Sequence, residues 1–321
     1  MVHGDAAPPT KHARRLSKRT SIAFIAGAGA IVAAVAIALV AFLPAGPPSR
    51  NAGPPPTSPP QQTPASYASQ VVLPFDDDLY SPYGVAVDTA DNVYVAGTSN
   101  RVLKLASGAS GPTVLAFGDY GQPVGVATDT AGNLYVADDG TNRVWKLAAG
   151  DSSRTVLPFG GIEHPHGVAV DNGGNVYVAD WGHHLVWKLA QGASTPTVLP
   201  FGALHFPNYV AVDNAGSVYV AHAGGVWKLP AGTSSATVVP LTGVGSGPNQ
   251  GPGGIAVDTT GNLYVADFAN NRVLKLAAGA STPTVLPFTG LNDPQGVAVD
   301  TAGNVYVADS NNNRVLKLPA R

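Results

Sequence analysis

Cysteine is absent from the 321 residues, which removes disulfide scaffolds, thiolate metal sites and cysteine nucleophiles together. The absence is compatible with export, because a large closed β fold buries enough core to stand without disulfides. Charge is scarce too: Asp, Glu, Lys and Arg make up only 12% of the chain. Nor is there a basic surface where one would count. Six basic residues (Lys11, Arg14, Arg15, Lys18, Arg19, Arg50) precede residue 71, against the single acid Asp5. From Val71 onward 12 basic residues face 19 acidic ones, a balance of −7. Nucleic-acid binding needs a basic face to neutralise phosphates, so nucleic acid is excluded as a partner.

Glycine and proline are plentiful instead, at 38 and 28 residues. They recur at regular intervals, which points to many short strands joined by tight turns. One long apolar run, Ile22 to Leu43, carries no charge over 22 residues, and a membrane span needs roughly 20. Five basic residues lie just before it and none just after. The positive-inside rule therefore predicts a single-pass cell-membrane protein with residues 1–21 in the cytoplasm and the remainder outside. A cleaved signal peptide would have an apolar region of about 7–15 residues. This run is longer and ends in Phe42-Leu43-Pro44, so it reads as an uncleaved transmembrane helix. Gly27 and Gly29 lack GxxxG spacing and predict no helix dimer. Residues 44–70, with Pro54-Pro55-Pro56 and Pro59-Pro60, read as a disordered, semi-rigid Pro-rich stalk.

The rest of the chain repeats itself. Gly84-Val-Ala-Val-Asp88 returns as Gly125–Asp129, Gly167–Asp171, Tyr209–Asp213, Gly254–Asp258 and Gly296–Asp300, with successive Asp residues 41, 42, 42, 45 and 42 apart. A period of ~40–45 residues with four strands per unit is a propeller blade. Strand A is Gly-Val-Ala-Val-Asp, strand B is Asn-Val-Tyr-Val-Ala as at 304–308, and strand C is Arg-Val-Leu-Lys-Leu as at 314–318, its alternation predicting one wet face. Strand D is Thr-Val-Leu-Pro-Phe as at 284–288, its Pro suited to an outer edge. The chain ends on a C strand and the repeats begin with an orphan D strand, Val71 to Phe75. Pairing these two predicts an all-β, six-bladed propeller over 71–321, closed by the N-terminal strand.

The repeat Pro-x-Gly-Val-Ala-Val-Asp-x-x-Gly-Asn-Val-Tyr-Val-Ala-Asp…Asn-Arg-Val-x-Lys-Leu resembles the NHL repeat. The layout of basic segment, span, Pro-rich stalk and propeller resembles the juxtamembrane and extracellular sensor portion of mycobacterial receptor serine/threonine kinases. That resemblance implies an actinobacterial envelope protein whose propeller binds an external ligand. No Gly-rich nucleotide loop, catalytic Asp loop or Asp-Phe-Gly is present in these residues, so no kinase activity is expected of them.

A residue type found in every blade is explained by blade geometry. Asp88, Asp129, Asp171, Asp213, Asp258 and Asp300 are expected to cap turns by accepting backbone N–H bonds, and Tyr94, Tyr135, Tyr177, Tyr219, Tyr264 and Tyr306 to pack the blades. Asp138, Asp180, Asp267 and Asp309, with Gly97 and His222 at the equivalent places, are expected to cap the B–C turn. Asn142, Asn271 and Asn313 fit positive φ.

What differs between blades is the informative part. The D–A and B–C loops share one face. His164, His166 and His205 lie in D–A loops, and His183, His184 and His222 in or at B–C loops, so all the histidines from Val71 onward fall on that face, in blades three and four and the loops entering them. Glu163, Trp181, Phe206 and Asn208 share the sector. Two readings stand. The histidines are separate solvated loop residues, or His164, His166, Asp180, Trp181, His183, His184, His205, Asn208 and His222 form a ligand-binding patch, in which imidazole, indole and carboxylate combine polar and aromatic recognition. The expectation is a non-catalytic sensor for an extracytoplasmic protein, peptidoglycan or small-molecule ligand, with no cofactor. The alternative is a metal-dependent lyase or hydrolase that resembles in architecture the peptide α-amidating and streptogramin lyases, with zinc or calcium on His166, His222 and Asp180. No Gly-x-Ser-x-Gly elbow or phosphate loop supports other hydrolytic or nucleotide chemistry.

Overall fold

The computed structural model describes residues 67–321 apart from 76–78, 99, 116–120 and 246–250. The basic segment, the run 22–43 and nearly all of the expected stalk lie outside these residues. Among the described residues no helix is long and apolar enough to cross a membrane.

Six four-stranded antiparallel sheets form the blades. In blade six, strand A is Pro294–Val299, B is Val305–Asp309 and C is Arg314–Leu318. Its fourth strand is Val71–Val72, with Val71 opposite Lys317 and Val72 opposite Leu316. The two ends of the domain thus share one sheet, as the strand count predicts, and the closure removes a raw edge. It extends further upstream than expected. Ala68 N–H donates to Pro319 O at 2.8 Å, Tyr67 bridges to Ala320, and Gln70 Nε2 donates to Thr289 O, so residues 67–70 belong to the folded body rather than to the stalk.

Two strand expectations need correction. The D strands are shorter than the five residues expected: Val71–Val72 rather than Val71 to Phe75, and Thr284–Val285 rather than 284–288. One more N–H is used, Leu286 onto Val273 O at 2.9 Å, and the next residue is Pro287, which has no N–H to continue the ladder. The C strands do not have one wet face. Val102, Leu103, Val315 and Leu316 are all buried, because each blade is clasped between two neighbours. The Lys of each C strand instead lays its stem across the B-strand Tyr, with Nζ 4.8–5.4 Å from the ring centre.

The B strand is covered on both sides; Val305 to Asp309 is wholly buried. A fully buried valine contributes roughly 1.5–3 kcal/mol, and the repeat places two in most B strands. The A–B turn carboxylates behave as expected. Asp88 Oδ1 accepts Ala90 and Asn92 N–H, and Oδ2 accepts Asn92 Nδ2 and Tyr94 O–H. Burial works against ionisation of Asp88, Asp129, Asp171 and Asp258, but these donated bonds outweigh it and hold the four below the ordinary carboxylate value.

Candidate functional site

At the axis, five of the six blades have glycine at the first position of the Gly-Val-Ala-Val-Asp motif because the neighbouring backbone leaves no room: a Cβ on Gly125 would stand 2.1 Å from His166 O, and one on Gly84 2.4 Å from Val124 O. Blade four alone has Tyr209 here. Its hydroxyl donates to Tyr83 O across the ring at 3.2 Å. The cavity that Tyr209 lines with these glycines is about 40 Å³, roughly room for a single water. Burial pushes the phenol pKa up, as do the charges of Tyr83 and Asp293. The sequence alignment displays this Gly-to-Tyr exchange, yet nothing in the sequence alone says that the ring turns into the channel.

Around this closed floor, in blades two, three, four and six the latch residue near the end of the B strand ties the D–A and B–C loops together. In blade six, Asp309 Oδ1 accepts Asn292 N–H at 2.7 Å, while Oδ2 accepts Arg314 Nε at 2.6 Å and Asn312 Nδ2 at 2.8 Å. Blade five repeats this with Asp267, Arg272 and Asn270. These carboxylates therefore do more than cap a B–C turn; blade six shows the carboxylate joining that turn to the incoming D–A loop. A second tie comes from the residue that ends the turn. Asn142, Asn271 and Asn313 have φ of 54°, 51° and 50°, as expected. Their Oδ1 atoms accept the N–H groups of His164, Asp293 and Ser81.

The histidines enter this frame in two ways. Some substitute for scaffold groups. His184 takes the Asn place with φ 60°, and its Nδ1 accepts Phe206 N–H at 3.0 Å. His222 takes the Asp place. It is 2% exposed, its Nδ1 accepts His205 and Gly224 N–H, and its buried Nε2 has no partner among the described residues. Burial, then the nearby His205, lowers its pKa, so the ring is held neutral with its proton on Nε2. Asp180 is wholly buried, with Oδ1 accepting Glu163 and His183 N–H and Oδ2 accepting Trp187 Nε1 at 2.8 Å. Asp180 and His222 therefore share a buried latch position and support the face from beneath.

The others form the surface. His166 stacks on Trp181 with ring centres 5.6 Å apart and planes 19° from parallel. Trp181 meets Phe206 at 4.8 Å, Phe206 meets His184 edge-on at 4.7 Å, and His184 reaches His205 at 6.3 Å. Two successive inter-blade junctions, joined by the B–C turn of blade three, thus contribute to one continuous row of rings. Trp181 N–H donates to His164 O at 3.1 Å, which sets the indole against the entering loop. His166 Nδ1 lies 3.3 Å from Asn208 Oδ1 and its Nε2 3.8 Å from Asp139. Burial lowers the His166 pKa against the pull of Asp139, leaving Nε2 as an acceptor at neutral pH. Asp139 also binds His164 Nδ1 at 2.7 Å. It joins the patch as a residue the sequence reading missed; in sequence it is merely the second Asp of a turn. At the rim, His183 sits between Asp180 at 3.0 Å and Glu163 at 3.4 Å. The Asp180 hydrogen bond first, then the two negative charges, raise its pKa. Among the described residues no group of three or more His, Asp or Glu side chains converges as a metal shell, so the set His166, His222 and Asp180 is not assembled.

The NHL repeat is matched at residues 120–147, 163–189, 249–276 and 291–318, and a beta-propeller repeat at 73–103. The chain carries NHL repeats, and none of these five segments falls in blade four. Over 118 residues it is 46% identical to the serine/threonine-protein kinase PknD of Mycobacterium tuberculosis, in strains CDC 1551 / Oshkosh and ATCC 25618 / H37Rv alike. That stretch is 36% of this chain and 15% of the kinase, whose sensor domain is a propeller and whose kinase domain has no counterpart here. Among solved structures it is similar to a streptogramin B lyase (TM-score 0.60, 13% identity, 79% of this chain and 98% of that one). It is also similar to a gluconolactonase, XC5397, from Xanthomonas campestris (TM-score 0.65, 17% identity, 78% and 89%). At these identities the structural likeness establishes the fold alone.

Proposed function

We propose that this chain is a non-catalytic sensor or binding module, anchored in the cell membrane through residues 22–43, whose propeller recognises an extracytoplasmic protein, peptidoglycan or a small molecule. The observation that carries the reading is the ring row His166–Trp181–Phe206–His184 over a floor closed by Tyr209. Equivalent positions in blade six hold Ser310, Asn313 and Asp293, engaged in scaffold bonds. A stacked row with an imidazole acceptor at His166 and carboxylates at Asp139 and Glu163 offers aromatic contact area with a few fixed polar groups, the composition of a recognition patch. The likeness to PknD supports a sensing role.

The test is retention of envelope proteins and of purified peptidoglycan fragments by the immobilised chain, wild type against Trp181→Ala/His166→Ala. Loss of a specific retained species in the double variant, with an unchanged melting temperature, is the expected result. Equal retention by both proteins would remove this face from consideration.

A further inference from the structure

On the face opposite the ring row, a groove runs between a D strand and the next blade at two of the inter-blade seams. Between blades one and two it is lined by Tyr94, Lys104, Leu115, Leu147 and Ala149 and holds about 500 Å³. Between blades four and five it is lined by Tyr219, Lys228, Val239, Leu276 and Ala278 and holds about 290 Å³. The corresponding groove between blades five and six is filled, and the chain itself fills it. Tyr67 packs into the cluster of Tyr264, Leu286, Leu316 and Leu318, and its hydroxyl hydrogen-bonds that of Tyr264. The neighbouring backbone pairs alongside, with the Tyr67–Ala320 bridge and Ala68 N–H on Pro319 O.

The effect of this occupant is visible by comparing blades. Leu286 is buried at 4% exposure, whereas its five equivalents, Leu73, Leu115, Leu157, Leu199 and Val239, are only half-buried. Ala320 is half-buried, whereas Ala149 and Ala278 at the same turn position are exposed. The wall chemistry is shared. Each of these alanines donates its N–H to the Asn at the start of its own B strand, and each groove has a Tyr overlain by a Lys.

We propose that the open grooves of blades one–two and four–five are docking sites for a tyrosine presented by an extended segment of a partner protein, received as Tyr67 is received between blades five and six. The phenol lies on the D-strand Leu or Val and donates towards the wall tyrosine. Small residues on either side of it let the partner backbone pair along the C–D turn, as Ser66, Ala68 and Ser69 flank Tyr67. The site is separate from the ring row and does not depend on it.

The test uses a synthetic peptide of residues 64–70 (Pro-Ala-Ser-Tyr-Ala-Ser-Gln) titrated calorimetrically onto the full chain. Saturable binding is expected, weakened at least tenfold when the peptide Tyr is replaced by Ala. Tyr67→Ala in the protein vacates the third groove and raises the number of sites by one. Ala149→Leu and Ala278→Leu each narrow one open groove, lowering the site number without shifting the melting temperature. Equal binding of the Ala peptide, absence of saturation, or a site number indifferent to Tyr67→Ala would overturn the proposal. Concentration-dependent dimerisation abolished by the two Leu variants, with no peptide binding, would assign the grooves to a second copy of this chain and overturn it equally.

Discussion

Blades six and four are built on one repeat and close their loop ends by different means. In blade six the buried Asp309 gathers a guanidinium, an amide and a backbone N–H, and Arg314 reaches on to Gly290 O at 2.7 Å. In blade four the same place is held by neutral His222, with two longer N–H contacts of 3.2 and 3.4 Å and Gly225 where the arginine would stand. Blade three lies between the two. It keeps the carboxylate, Asp180, but faces it with His183 and Trp187 in place of Asn and Arg. The charged latch commits its loops to the fold. In blades three and four, where it is weakened, the loops carry rings and imidazoles on the outside. The lesson is positional: the propeller surrenders part of its consensus latch in the sector where its surface acquires chemistry.

The largest expected effect breaks the consensus side of this contrast. Asp309→Ala leaves Asn292 N–H, Asn312 Nδ2 and the inner face of Arg314 without their acceptor. The expected cost is about 3 kcal/mol, since each unmet buried donor costs roughly 1–3 kcal/mol and Arg314 recovers some solvation at the surface. Denaturant unfolding measures it, and His222→Ala in parallel is expected to cost less than half as much. Comparable costs for the two would mean that the latches are equivalent after all. Next comes Tyr209→Ala, which empties the axis. About 2 kcal/mol is expected, below the range for a wholly buried aromatic because the ring retains some exposure. Tyr209→Phe isolates the bond to Tyr83 O, and about 1 kcal/mol of that loss should remain.

The blade count, the closure between the ends and the capping role of the A–B carboxylates were all legible in the sequence, because each follows from a pattern repeated six times. The gathering of the loop histidines on one face was legible for the same reason, since strand direction alone decides it. Their division of labour was not. Whether an imidazole replaces a latch carboxylate, as His222 does, or stacks in the open, as His166 does, depends on which way the side chain leaves the turn. Composition is silent on that. Aligning the blades puts His222 in the column of Asp138, Asp180, Asp267 and Asp309, a match the sequence shows even as His222 also counts among the patch residues; that His184 falls in the column of Asn142, Asn271 and Asn313 was readable but unread. Tyr67 was absorbed into the Pro-rich stretch before it, and a single aromatic in such a segment gives no sign of the groove it fills.

His222→Asp tests whether blade four can be returned to the consensus. The carboxylate should accept the same two N–H groups and offer an oxygen to Trp227, as Asp180 does to Trp187. A gain of about 1 kcal/mol at pH 7.5 is expected. The pH dependence discriminates more sharply. His222 has a lowered folded pKa, so its contribution is complete above the unfolded value of roughly 6.5 and is lost as pH falls through the folded value. The advantage of the Asp variant should therefore widen between pH 7.5 and pH 5, followed by thermal melting in matched buffers. A constant difference across that range would mean that His222 does not titrate on folding.

The smallest effect concerns the opposite end of the same blade. In blades one, two, three, five and six an Asn side chain donates Nδ2 to the A–B turn Asp, as Asn304 does to Asp300. Blade four has Ser217, whose side chain is too short to reach, and Lys228 Nζ comes to 3.5 Å from Asp213 instead. A half-buried ion pair at this distance contributes about 1 kcal/mol, and an amide bond to a carboxylate slightly more. Ser217→Asn should therefore stabilise the chain by a few tenths of a kcal/mol. It should also make Lys228→Ala nearly silent, whereas in the wild-type background Lys228→Ala carries a measurable cost. A double-mutant cycle reads the coupling directly. If Lys228→Ala costs the same in both backgrounds, the lysine is serving the Tyr219 ring rather than Asp213, and blade four departs from its neighbours at the loop end and the axis but not here.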